Sequence, residues 1–220
     1  MNASRSLSDF ALVSGRDVAA LQDPRPACLI GARSNAGEVC FATVIWVTPV
    51  SHNPEMVAFA LRAKSHTMGI IRETGCFSIS VPPADAEGVR LVEFCGGNTG
   101  RLVDKGAAVE HELVRVGDVG NATDAADRPA QEAQSDAAAA VGASEVAAAE
   151  RLVPVLLHSF SWEVGVVESI QEAGDHLLVV GVVTKAGTLA TRDERAQLTP
   201  YESLLCVQHG AYAKATRIQA

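Results

Sequence analysis

Apolar residues follow two spacings along this chain, and the alternation between them sets out its elements. Residues 27–32 (ACLIGA) and 39–47 (VCFATVIWV) are apolar on nearly every position and rich in β-branched and aromatic side chains. That pattern predicts strands covered on both faces. The turn-like RSNAG at 33–37 between them predicts a hairpin. Pro49 and Pro54 bound a turn, and residues 56–61 form the next strand. The period then changes. Ser65 is a good N-cap, Met68 and Ile71 share a helical face over residues 66–74, and Gly75 ends the helix.

The same reading carries through the rest. The SISV strand stops at Pro82-Pro83, and residues 84–94 place Val89, Leu91 and Val92 on one face of a helix. Gly96-Gly97 and Gly100 open a flexible loop containing Asn98, Thr99, Arg101, Asp104 and Lys105. Residues 156–170 predict one long or two broken strands, and 173–175 a turn. Residues 176–184 (HLLVVGVVT) are the most strand-like run, so the pair predicts a β-hairpin. Residues 204–207 and beyond add a last strand, with Tyr201 and Tyr212 as its amphipathic residues. A short helix near 17–21 ends before Pro24. Six or more strands with two or three short helices predict a mainly β fold, a barrel whose closure removes exposed edges.

One segment breaks the pattern. Of the 33 residues from 118 to 150, thirteen are alanine, none is aromatic, and seven are acidic against one arginine. Such a composition cannot bury enough apolar surface to offset its ordering entropy, so residues 118–149 are expected to form a disordered insertion. The segment also holds most of the formal charge of −8. That balance argues against nucleic acid and an anionic membrane surface as partners. No apolar run is long enough to span a bilayer, and the N-terminus lacks the apolar core of a secretory signal. Five scattered cysteines without C-x-x-C spacing suggest reduced thiols and a cytoplasmic location, and six dispersed histidines show no metal-ligand spacing.

The chemistry concentrates at RAKSHT. Arg62, Lys64, Ser65 and Thr67 put two cations and two hydroxyls around a helix start whose first N–H groups have no intrahelical acceptor. This is a site for an anion, and a phosphate fits it. The alternative is an N-cap serine flanked by solvated charges. No Walker loop, dinucleotide fingerprint or nucleophile elbow is present.

Five pieces in order, ATVIWVTPVSHNP, RAKSHT, GCFSISVP, CGGNTGRLVDKG and AGDHLLVVGVVTKA, resemble the flavin reductase-like family of FMN-binding split barrels. The resemblance spans most of residues 25–117 and 150–215 and extends to the flavoredoxin branch, toward which Ser80 tilts it. It implies a split β-barrel and non-covalent FMN. The flavin lies along the strand and turn of Thr43, Val44, Ile45, Trp46, Val47, Thr48 and Ser51, its phosphate on Arg62, Lys64, Ser65 and Thr67. By the same resemblance Lys105, in T-G-R-L-V-D-K, reaches the phosphate or the ring end, with Asp104 orienting it. Taken alone, the strand is better explained as ordinary core. The chain departs from the pattern at Gly106, where phenylalanine is usual, and at Cys40 and Thr43, where an asparagine is frequent. The implied activity is hydride or electron transfer with NAD(P)H or a protein as donor, in a homodimer. Two alternatives are a flavoredoxin-type electron carrier and a binding protein with a degraded flavin site. Deleting 118–149 should leave the far-UV circular dichroism and any flavin affinity unchanged if the segment is only a loop.

Overall fold

The computed structural model describes residues 11–117, 151–191, 203–208 and 210–214. The chain is mainly β, with four short helices among the described residues. Helix α1 (Arg16–Ala20) leads to the two-residue β1 (Arg25–Pro26) and then to the hairpin β2 (Cys28–Arg33) and β3 (Val39–Val44). β4 (Val47–His52) and β5 (Glu55–Arg62) follow, then α2 (His66–Thr74), β6 (Cys76–Val81), α3 (Ala86–Gly97) and α4 (Lys105–Ala108). β7 (His111–Arg115) pairs with β8 (Leu152–Leu156) as a separate ribbon. The long hairpin β9 (Ser161–Ala173) and β10 (His176–Thr188) comes next. β11 (Leu204–Gln208) and β12 (Ala211–Lys214) form a three-stranded sheet with β1.

Seven strands make one antiparallel sheet in the order β3-β2-β6-β9-β10-β5-β4. Its two edge strands are consecutive in the chain, joined only by Ile45 and Trp46, so the sheet curls round to a split barrel. The interior is filled from β2, β3, β5, β6 and β10 by Ile30, Val44, Phe59, Phe77, Ile79 and Val179, and Met68 and Ile71 of α2 pack against this core. Phe59 and Phe77 meet edge to face with centroids 5.0 Å apart. Each such buried side chain contributes about 1.5–3 kcal/mol relative to exposure.

Three features differ from the sequence reading. The run 39–47 is two strands, because the chain turns a corner at Ile45–Trp46 and continues to His52. Pro49, read as bounding a turn, lies inside β4, which tolerates it as an edge strand with a register shift between Pro49 and Ser51. Gly96 and Gly97, read as loop, form the last turn of α3. The run at 156–170, read as one long or two broken strands, is broken at 157–160, giving β8 and β9 to different sheets. The expected insertion and Tyr201 lie outside the described residues.

Helix α3 is held at its start by Asp85, whose carboxylate accepts from Gly88 N at 2.8 Å and pairs with His158 Nε2 at 3.0 Å. The backbone hydrogen bond from Gly88, and then His158, hold the Asp85 carboxyl below its ordinary pKa. Asp85→Ala should lower stability by about 1 kcal/mol at pH 7, read from the urea midpoint. A depressed carboxylate stabilises the fold above the ordinary carboxylate range and loses that contribution as pH falls through the depressed value. The midpoints of the two proteins should therefore converge in acid.

Candidate functional site

A groove of about 890 Å³ opens where β3 and β5 end, walled by the start of α2, the second half of α3 and the β11–β12 tail. Its size is that of a small-molecule site. Seven of the residues singled out in the sequence line it: Thr43, Ile45, Arg62, Lys64, Ser65, Thr67 and Lys105.

The end at α2 is built by a tight turn. β5 stops at Arg62, Ser65 N donates to Arg62 O at 2.8 Å, and Ser65 adopts the extended N-cap conformation. The Ser65 side chain makes no cap hydrogen bond, so its hydroxyl and the first N–H groups of α2 are available to a ligand. Arg62 and Lys64 are exposed, and neither forms an ion pair among the described residues. His66 adds a ring whose Nε2 lies 2.6 Å from Glu38 Oε1, an arrangement that draws this acid onto the histidine. The loop after α3 closes over this point, and Gly100 permits it: a Cβ there would collide with Cys40 Sγ and the His66 ring.

Two predicted ligands have other tasks. Thr67 is buried, and its hydroxyl donates to Cys40 Sγ at 3.3 Å. Burial pushes the Cys40 thiol up, so it stays protonated at neutral pH. Lys105 is also buried, and its Nζ donates to Phe41 O at 2.8 Å and Cys95 O at 2.7 Å. It ties β3 to one of the last carbonyls of α3, where a cation complements the helix dipole. Asp104 does not orient Lys105; its carboxylate caps α4 by accepting from Ala107 N at 3.0 Å. Gly106 stands where an aromatic residue was the sequence expectation, and its close packing on Val39 leaves no room for a side chain.

The strand residues divide. Thr43 faces the groove, but its hydroxyl donates to Val92 O at 2.6 Å and so fixes α3 over β3. Val44 points into the barrel core. Trp46 sits at the β3–β4 corner, 38% exposed, with its ring 4.7 Å from that of His176. Thr48 is exposed and donates to Pro49 O at 3.3 Å, and Ser51 accepts from Asn53 N at 3.3 Å. Val44, Trp46, Thr48 and Ser51 are thus not brought into this groove, because the corner at Ile45 turns the chain away from it.

Other groove residues were not assigned to a site by the sequence reading: Asp23, Val92, Glu93, Cys95, Asn98, His176, Cys206 and Tyr212. Val92 and Cys95 carry only the helical apolar period, and Asp23 belongs to no motif. His176 sits in the turn of a strong hairpin, its Nδ1 2.7 Å from Asp175 Oδ1. Among the described residues no cluster of three or more His, Cys, Asp or Glu can hold a metal ion, and no helix is long and apolar enough to cross a membrane.

A family model described as the flavin reductase like domain matches residues 22–215. No curated protein matches the sequence. Among solved structures, the fold is similar to an FMN-binding protein from Thermus thermophilus with bound 1-cyclohex-2-enone, with TM-score 0.68, 22% identity, and 100% of this chain and 99% of that one covered. It is also similar to a flavoredoxin of Desulfovibrio vulgaris, with TM-score 0.64, 16% identity, and coverage of 99% and 96%. A third likeness is the styrene monooxygenase flavin reductase from Pseudomonas putida S12, with TM-score 0.57, 18% identity, and coverage of 94% and 100%.

The two lysines of the groove should separate cleanly. Lys105→Met leaves buried carbonyls without their donor and should lower stability by about 1–3 kcal/mol in urea unfolding. Lys64→Met, at an exposed position, should change it by no more than about 0.5 kcal/mol.

Proposed function

Because the chain belongs to the flavin reductase-like domain family, we propose that its groove binds FMN non-covalently and that the protein is a flavin-dependent oxidoreductase accepting electrons from NAD(P)H. The observation that carries this reading is the α2 end of the groove. There Arg62, Lys64, the Ser65 hydroxyl and the first N–H groups of a nine-residue helix converge, and the nearby acids Glu38 and Asp175 pair with His66 and His176. Charge-assisted hydrogen bonds of this kind contribute about 1.5–3 kcal/mol each.

The residues present fit the cofactor. The cations and N–H groups hold the phosphate, the loop at Gly100 lets the backbone approach closely, and Thr43 and Ile45 line the wall beyond. Bound flavin supplies the hydride and electron transfer. The chain's own part is to orient it, exclude water from one face and leave the other accessible. The reading asks for no general acid or base among the side chains. Trp46, Thr48 and Ser51, which one chain leaves outside the groove, keep a place in it through a homodimer, which the exposed Trp46 and Val50 beside and on edge strand β4 favour.

The visible absorption spectrum after reconstitution with FMN and removal of the excess tests the site, and its loss on mixing with NADH or NADPH tests the activity. Rapid bleaching is expected; a retained flavin that neither nucleotide reduces quickly would indicate an electron carrier. Arg62→Ala with Lys64→Ala should weaken FMN binding tenfold or more in fluorescence titration. The same pair should leave riboflavin, which lacks the phosphate, within twofold.

A further inference from the structure

A histidine stands at the cationic end of the groove, beside the groups that hold the phosphate. His66 is the first residue of α2 and lines the groove next to Ser65. Its Nε2 lies 2.6 Å from Glu38 Oε1. A Cβ on Gly100 would stand 2.8 Å from its Cδ2 and 3.5 Å from its Cγ, so the loop after α3 covers that edge of the ring. Nδ1, on the other edge, has no hydrogen-bond partner. It is not sealed either, because Asp23 Oδ1 is the one buried side-chain nitrogen or oxygen without a partner among the described residues. The ring keeps one nitrogen open to solvent.

The charges around this ring come from several elements. Glu38 approaches from the turn between β2 and β3, and Arg62 and Lys64 stand at the end of β5 and just after it. His176, paired with Asp175, lies across from Arg62 on β10. Cys40 of β3 sits under Gly100, its thiol neutral because burial pushes it up, and the Lys105 ammonium is near it. Arg101 follows Gly100 in the loop. One carboxylate therefore faces the ring, and the cations beside it oppose a further positive charge. A phosphate dianion reverses that balance. On the first N–H groups of α2 it is held by the backbone of His66 itself, within a side chain's length of the ring, and an opposite charge at that range favours the protonated imidazole. Imidazole is the side chain that changes charge near neutral pH.

We infer that His66 is a further residue of the phosphate end, one whose charge the ligand recruits: FMN binding takes up a proton from solvent onto the ring, Glu38 accepts from Nε2, and the protonated Nδ1 becomes a donor for the phosphate. Because binding and protonation are linked reciprocally, His66 discriminates phosphorylated from unphosphorylated flavin more strongly as pH falls. This assignment rests on the reading of the groove as a flavin site.

Calorimetric titration of the full chain at pH 7.5, in two buffers of different ionisation enthalpy, counts the protons taken up. The wild type should take up about 0.4 of a proton more with FMN than with riboflavin. In fluorescence titrations the ratio of FMN to riboflavin affinity should accordingly rise about fourfold from pH 8.5 to pH 7, a range in which a phosphate monoester is mostly dianionic. His66→Gln, polar but never charged, should abolish the excess uptake and hold the ratio within about twofold over the same range. Excess uptake that persists in a folded His66→Gln protein overturns the assignment. Equal uptake with the two flavins in the wild type does so without any variant. A wild type that binds neither flavin overturns the flavin reading itself, a result distinct from both.

Discussion

Lys105 Nζ lies between the carbonyl oxygens of Phe41 and Cys95, and through this one buried ammonium the barrel and the groove wall become a single object. On one side of it is β3, an edge strand of the seven-stranded sheet. On the other is the last turn of α3, whose unpaired carbonyls need a donor. The Thr43 hydroxyl, donating to Val92 O, makes a second tie between the same two elements one turn earlier along the helix. With α3 fixed in this way, the loop that follows it has one place to go, over the start of α2, and Gly100 lets it arrive there. Asp85 holds the other end of the helix, joining it to His158 in the connection between β8 and β9.

The groove that results is electrically polar along its length. Arg62 and Lys64 stand at the α2 end, with Asp175 close enough to Arg62 to feel its charge, and Asp23, paired with Arg25, and Glu93 line it nearer the tail. A ligand with a dianion at one end and a hydrogen-bond donor at the other matches that gradient, and the opposite orientation puts like charges together at both ends. Screening acts mainly on the exposed cations.

Cysteine chemistry is kept out of this site. Burial pushes Cys28 up to about 12 and Cys95 to about 11, and it raises Cys40 as well. All five cysteines are buried and none is in a disulfide. Thiols of this kind pack as small apolar groups.

The alternation of apolar residues was enough by itself to determine the strands of the central sheet other than β4, the β2–β3 and β9–β10 hairpins, and helix α2 with its start at Ser65 and its end at Gly75. Each of these depends on neighbours within a few residues, where period, caps and turn chemistry act directly. The cationic helix start was legible for the same reason, since Arg62, Lys64 and Ser65 are adjacent in the chain. What separates residues in sequence was decided only in three dimensions. Lys105 became a structural staple, because Phe41 and Cys95 bring two carbonyls to it from 64 and 10 residues away. Thr67 turned to Cys40, and Trp46 left the groove, because the edge strands of a curled sheet must meet at a corner. Asp23 entered the groove because the tail pairs with β1 and carries that loop to α3. No local pattern encodes such a meeting; it exists only once the sheet has closed.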